Sequence, residues 1–137
     1  MIGFDTNVLV RFFVDADPEQ HAAAVQAVGR LSPERPGFIT QVVMVELYWV
    51  LSRVYRYPKS ACLAVVRALV ENESLEFDDG EGVVRALTLA EAGADFADAL
   101  IQGALELFSI DEMITFDRAA SKKLGWRLLA AEHANAR

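Results

Sequence analysis

The chain has 137 residues, 53% of them hydrophobic, and a net charge of −7. That size and apolar content suit one domain with a sizeable core, and the acidic balance excludes a protein that grips nucleic acid through a generally basic surface, although a bound cation can supply positive charge locally. The single cysteine, Cys62 in ACLAVVRALV, excludes an internal disulfide framework and reads as core packing. No basic leader precedes an apolar segment and no apolar run reaches the length of a membrane span, so a soluble, cytoplasmic protein is expected.

Met1 to Phe4 reads as a first strand ending at Asp5, followed by a short helical turn over Val8 to Phe13. Asp17-Pro18-Glu19-Gln20 opens a helix to about Leu31, with Asp17 as N-cap, Pro18 at the first position and Gln20 placed for a reciprocal capping bond. Pro33 and Pro36 break it, and Gly37 to Thr40 forms a second strand. From Val42 to about Tyr55 the pattern is helical but apolar nearly all round, which implies burial. Pro58 restarts a helix through Val70, Leu75 to Phe77 is a third strand, and Asp78 or Asp79 caps a helix to Ala92. Gly93 ends that helix and Asp95 caps the next, which reaches about Leu107. Glu112 to Thr115 is a fourth strand, Asp117 opens a helix closed by Gly125, and Trp126 to Leu129 is a fifth strand. Strands separated by helices read as crossover units of a parallel α/β sheet. Only the tail from about Glu132 looks frayed.

Four acids lie inside or beside apolar runs: Asp5 in MIGFDTN, Glu46 in VVMVELYWVL, Asp98 in GADFADALI and Asp117 in MITFDRA. Folding is expected to gather them at one buried edge, where stripping water from each carboxylate costs several kcal/mol unless something compensates. These segments are poor in Arg and Lys, so a divalent cation is the natural compensator, and all-oxygen ligands suit magnesium or manganese better than zinc. Each acid also has a plainer role. Asp5, Asp95 and Asp117 stand where helices begin and can serve as N-caps, while Glu46 can pair with Arg53 along its helix. Within GADFADALI, Asp95 has the better capping position and Asp98 is preferred as the ligand. The carboxyl edge of a parallel sheet is where ligands bind in open α/β folds, and a strand order of 3-2-1-4-5 would place strands 1 and 4 together there.

The segments DTNVLVRFF, VVMVELYWVL, GADFADALI and MITFDRA, in this order across essentially the whole chain, resemble the PIN-domain ribonucleases, most closely the VapC-type toxins of type II toxin–antitoxin systems. The resemblance implies an α/β, PIN-like three-layer sandwich with a central five-stranded parallel sheet, spanning residues 1–131 with a flexible tail at 132–137. It implies Asp5, Glu46 and Asp98 as an acidic triad, Asp117 as fourth member, and Thr6 or Asn7, and Thr115, as polar support. One departure is the stretch Phe108 to Glu112, where relatives more often carry a small or Gly-containing turn.

The implied activity is a metal-dependent ribonuclease with one or two magnesium or manganese ions, acting through a metal-activated water. RNA as substrate, a cognate antitoxin and a homodimer follow from the resemblance alone. Arg11, Arg53, Arg56, Lys59 and Arg118 could meet phosphates, but ordinary surface charge is the simpler reading of each. His21 and His133 read as solvated. Phe12, Phe13, Tyr48, Trp49 and Tyr55 exceed the obvious needs of a small core, and an exposed aromatic strip among them would fit a partner. A phosphoacceptor receiver domain would need a second acid after the first strand, and a haloacid-dehalogenase-like phosphatase an Asp-x-Asp in place of Asp5-Thr6-Asn7. The alternative that survives is a catalytically silent PIN-fold module acting through protein or RNA interaction.

Overall fold

A computed structural model describes residues 1–130; the tail at 132–137 lies outside them. The described residues form five strands, β1 (Ile2–Gly3), β2 (Gly37–Ile39), β3 (Leu75–Phe77), β4 (Ile114–Thr115) and β5 (Arg127–Leu128). Seven α-helices connect them: α1 (Thr6–Phe13), α2 (Pro18–Gly29), α3 (Gln41–Trp49), α4 (Lys59–Val70), α5 (Gly80–Glu91), α6 (Phe96–Leu107) and α7 (Arg118–Leu124). α3 runs on into a π-helical turn at Val50–Val54.

All strand pairs are parallel, as crossover connections require. The expected single sheet is corrected by the hydrogen bonding, which forms a three-stranded sheet in the order β1-β2-β3 and a separate two-stranded sheet β4-β5. Within each part the expected neighbours are kept. No ladder joins β1 to β4 among the described residues, and both strands are two residues long with exposed side chains at Ile2 and Ile114. Strands this short contribute few bonds, and neither presents a buried apolar face that would hold it against the other.

β2 is the central strand, pairing Gly37 with Ile2 on one side and with Leu75 on the other. A Cβ at Gly37 would meet Leu31 Cδ1 and Leu75 Cδ2, both at 2.9 Å, and Phe4 Cε1 at 3.1 Å, so glycine is what lets three side chains close over the strand. Ile39, Met44, Leu47, Leu51, Cys62, Val66, Val83 and Phe96 are fully buried in one core that also takes in Phe4 and Leu9. Cys62 is a free thiol in that core, as its apolar segment implies, and burial pushes its pKa up.

The helix starts follow the capping chemistry closely. Asp17 accepts from Gln20 N at 3.1 Å, Asp79 rather than Asp78 caps α5 through Gly82 N at 3.0 Å, and Thr40 caps α3 through Val43 N at 3.2 Å. The reciprocal half of the α2 capping box is not formed, because the Gln20 side chain instead accepts from Arg11 Nε at 2.7 Å. Gly125 closes α7 with φ +75, the left-handed conformation that favours glycine. Ser109 takes φ +56, so the Phe108 to Glu112 stretch makes a glycine-like turn without a glycine.

Two further corrections concern burial. The helix expected to be buried all round has one buried face, with Met44, Leu47 and Leu51 inward, while Val42 and Trp49 are 69% and 57% exposed. The aromatic set does not form one exposed strip: Phe12, Phe13, Tyr48 and Tyr55 are half-buried and only Trp49 is exposed. The prominent exposed aromatics are Phe108 and Phe116. Hydrophobic composition alone cannot say which side of a helix its neighbours cover.

Candidate functional site

Asp5 follows β1 directly and caps α1, its Oδ1 accepting from Thr6 N at 2.8 Å. Phe4, buried beneath, bonds its N–H to Phe38 O at 2.9 Å and so pins the strand end that delivers Asp5. Glu46 comes one turn into α3, the helix that begins where β2 stops. Thr6 Oγ1 donates to Glu46 Oε1 at 2.8 Å, so the DTN and VEL segments meet through a hydroxyl. Of Thr6 and Asn7, it is Thr6 that touches one of the acids. Asn7 is exposed and lines a cavity of about 300 Å³ between α1 and α2 with Arg11 and Gln20.

The second cluster is built on α6. Asp95 is its N-cap, with Oδ2 accepting from Asp98 N at 3.0 Å, and Asp98 sits in the first turn. As the sequence reads, α6 follows α5 directly, through a tight turn at Gly93 (φ +117). Asp117 caps α7 through Ala120 N at 3.0 Å, and its own N–H donates to Thr115 Oγ1 at 2.9 Å. Burial pushes the Asp98 carboxyl above its ordinary pKa, and the carboxylates of Asp95 and then Asp117 push it further. This like-charge crowding joins the GADFADALI and MITFDRA segments.

The two clusters are linked through α3 and α6, where the Tyr48 and Phe96 rings stack with centroids 4.8 Å apart and planes 23° from parallel. Burial first, then Cys62 and Asp95, push the Tyr48 hydroxyl up to about 12. Tyr48 thus spans the turn after Glu46 and the cap beside Asp98, a role that its apolar surroundings did not reveal.

The acids are not buried. Asp5, Glu46, Asp95 and Asp117 are exposed and Asp98 is half-buried, so none stands in a sealed edge. Among the described residues no three His, Cys, Asp or Glu side chains stand together closely enough to hold an ion as placed. Asp5, Asp95 and Asp117 each turn back to cap their own helix. The Glu46–Arg53 pair, the plainer alternative for Glu46, does not form. The ion pairs of the described residues are Arg67–Glu91, Arg85–Glu106 and Arg127–Glu112, and none involves the acids singled out above.

Of the cations weighed as phosphate contacts, Arg11 is engaged with Gln20 and with Tyr55 OH at 3.3 Å, and Lys59 Nζ donates to Ala94 O at 2.8 Å. Arg53, Arg56 and Arg118 are exposed. His21 is half-buried, its Nδ1 2.8 Å from Arg11 O, and is not simply solvated. His133 lies outside the described residues.

The model of the PIN domain family matches residues 2–124. The chain belongs to the PIN-domain family. PIN domains are generally metal-dependent nucleases that act on RNA and bind divalent ions, so at that level the protein is a hydrolase with a nuclease-like fold. The comparison with curated proteins returns no match. No helix among the described residues is long and apolar enough to cross a membrane.

Proposed function

We propose that this PIN domain is a metal-dependent endoribonuclease, the VapC-type toxin of a type II toxin–antitoxin pair, hydrolysing RNA phosphodiester bonds with a metal-activated water. The observation that carries the reading is a set of carboxylates, Asp5, Glu46, Asp98 and Asp117, that no Lys or Arg of the described residues neutralises. The donor set is all oxygen, which suits magnesium or manganese. The crowding of Asp98 by Asp95 and Asp117 is a charge imbalance that a divalent cation relieves. By the chemistry of their oxygens, Asp5, Glu46, Asp98 and Asp117 are the residues that would hold one or two such ions.

A bound ion lowers the pKa of a water and offsets charge building on the scissile phosphate. The chain's own groups orient the reaction. Thr6 Oγ1 holds Glu46 Oε1 and leaves Oε2 for the ion or for a proton of the attacking water. Asp95 and Thr115 fix the backbone at Asp98 and Asp117. Among the described residues no Ser, Cys or His is placed as a nucleophile, which supports direct attack by water without a covalent intermediate.

The domain is taken as residues 1–131 in the family's three-layer arrangement, with the tail at 132–137. Exposed Leu107, Phe108 and Phe116 support covering partners, a cognate antitoxin and a second copy of the chain, in the cytoplasm. Sequencing of RNA ends after induction tests the whole reading: new ends are expected with the wild type and none with Asp5→Asn. The same ends in both would refute it.

A further inference from the structure

We propose that the exposed stripe of α3 from Glu46 through Trp49 to Arg53 is the track for a single-stranded segment of the substrate, with one base stacked on the Trp49 indole and a phosphate on the Arg53 guanidinium. The proposal rests on the nuclease reading of Glu46 and adds to it a binding subsite. Along α3 and its π-helical extension the buried positions are Met44, Leu47 and Leu51, while Val42, Val45, Glu46, Trp49 and Arg53 are exposed. These two sets recur at helical spacing and therefore mark opposite faces. Glu46, Trp49 and Arg53 thus follow one another at about one turn each on the solvent side.

A tryptophan is normally kept largely from water. The other one, Trp126, obeys: it is 6% exposed and its Nε1 donates to Gln102 Oε1 at 2.7 Å. Trp49 is 57% exposed and its indole N–H meets no acceptor among the described residues. Arg53 and the following Arg56 enter none of the ion pairs or side-chain hydrogen bonds of the described residues, although the chain carries net charge −7 and offers many carboxylates. The π-helical turn that carries Arg53 is closed by Tyr55 N to Val50 O at 3.2 Å, and Tyr55 OH is held by Arg11, so the cation stands on a fixed backbone. Such turns recur at functional sites.

An aromatic plane beside unpaired guanidinium groups is the chemistry that binds single-stranded nucleic acid: the ring takes a base face and the cations take the backbone. The charge complementarity is local, since the rest of the molecule repels a polyanion, and it begins one turn from Glu46. A duplex, whose base faces are already stacked, cannot use the indole.

Steady-state cleavage of a single-stranded oligoribonucleotide and of a small aryl phosphodiester, with magnesium, tests the proposal in Trp49→Ala, Trp49→Phe and Arg53→Ala. Trp49→Ala should raise KM for the oligoribonucleotide about tenfold with turnover of the small diester unchanged, and Trp49→Phe should recover most of the loss. Arg53→Ala should raise KM and flatten its salt dependence. In an Asp98→Asn background, the single strand but not a blunt duplex of the same sequence should quench tryptophan emission, and Trp49→Phe should remove the quench. An unchanged KM and no quench with cleavage intact would overturn the track and leave the nuclease reading standing. No cleavage by the wild type, with the quench retained, would do the reverse. If Trp49→Ala instead lowers the oligomeric state or releases a co-purifying protein while KM is unchanged, the stripe is a protein interface and the proposal fails.

Discussion

Asp95→Ala removes the oxygen that accepts the Asp98 N–H at 3.0 Å and leaves the start of α6 uncapped, a loss of about 1 kcal/mol. Part of it returns, because Asp95 is the stronger of the two carboxylates that crowd Asp98, and a like-charge pair at helical spacing costs ~0.2–0.5 kcal/mol. The net destabilisation is then about 0.5–0.8 kcal/mol, a fall in Tm of about 2–4 °C for a domain of this size. Asp95→Asn keeps the cap. Its relieved repulsion is offset by the lost attraction of a carboxylate for the helix start, ~0.3–1 kcal/mol, so its Tm should be nearly that of the wild type. Asp98→Asn removes a half-buried, crowded charge that takes no hydrogen bond from the described residues, and at neutral pH it should melt no lower than the wild type. Activity should divide the other way. Asp98→Asn abolishes cleavage, whereas Asp95→Ala retains it with magnesium affinity reduced by up to ten- to a hundredfold if Asp95 acts on the ion through a water. Thermal melts without metal, together with cleavage against magnesium concentration, read both axes. Equal and complete loss of cleavage in Asp95→Ala and Asp98→Asn at saturating magnesium would show that the division into cap and ligand is wrong.

Asp5→Asn and Glu46→Gln should each abolish metal-dependent cleavage in a folded protein, since both side chains are exposed and the Asn retains the cap on Thr6 N; circular-dichroism melts showing unfolding in either would refute the assignment. The raised pKa of Asp98 means that the folded state holds its proton more tightly than the unfolded chain does, so that contribution to stability is present below the ordinary carboxylate range and is lost as pH rises through the folded value. Denaturant titrations should therefore find the wild type and Asp98→Asn equally stable at about pH 3 and the variant ahead at about pH 7; a wild type that gains on the variant with rising pH would contradict it. Gly125→Ala meets nothing within 4 Å but keeps φ +75, so it should cost about 1 kcal/mol with cleavage retained, and an unchanged melting temperature would show that α7 does not close through the left-handed conformation.

Local chemistry was legible in the sequence because it acts over a few residues. Asp17, Asp95 and Asp117 announced their helices by capping position, the Asp78-Asp79 pair marked the start of α5 without saying which residue caps it, Pro33 and Pro36 ended α2, and Leu75 to Phe77 stood out as a strand between helices. The four acids were legible for the same reason, as charges in apolar segments, and their order along the chain pointed to the PIN family. The tertiary structure decided what depends on contacts between distant segments. It set which face of α3 is covered, and so left Trp49 in solvent although its neighbours in sequence are apolar. It chose Thr6 over Asn7 by bringing a hydroxyl to Glu46, and it gave Gln20 to Arg11 instead of to its own helix start. It divided five short strands into two sheets, since two-residue strands with exposed side chains have too few bonds to join across. It also left the carboxylates at the surface: Asp5, Asp95 and Asp117 turn back to cap their own helices, Glu46 takes the Thr6 hydroxyl, and only Asp98 is half-buried, none of which can be read from the apolar runs around them.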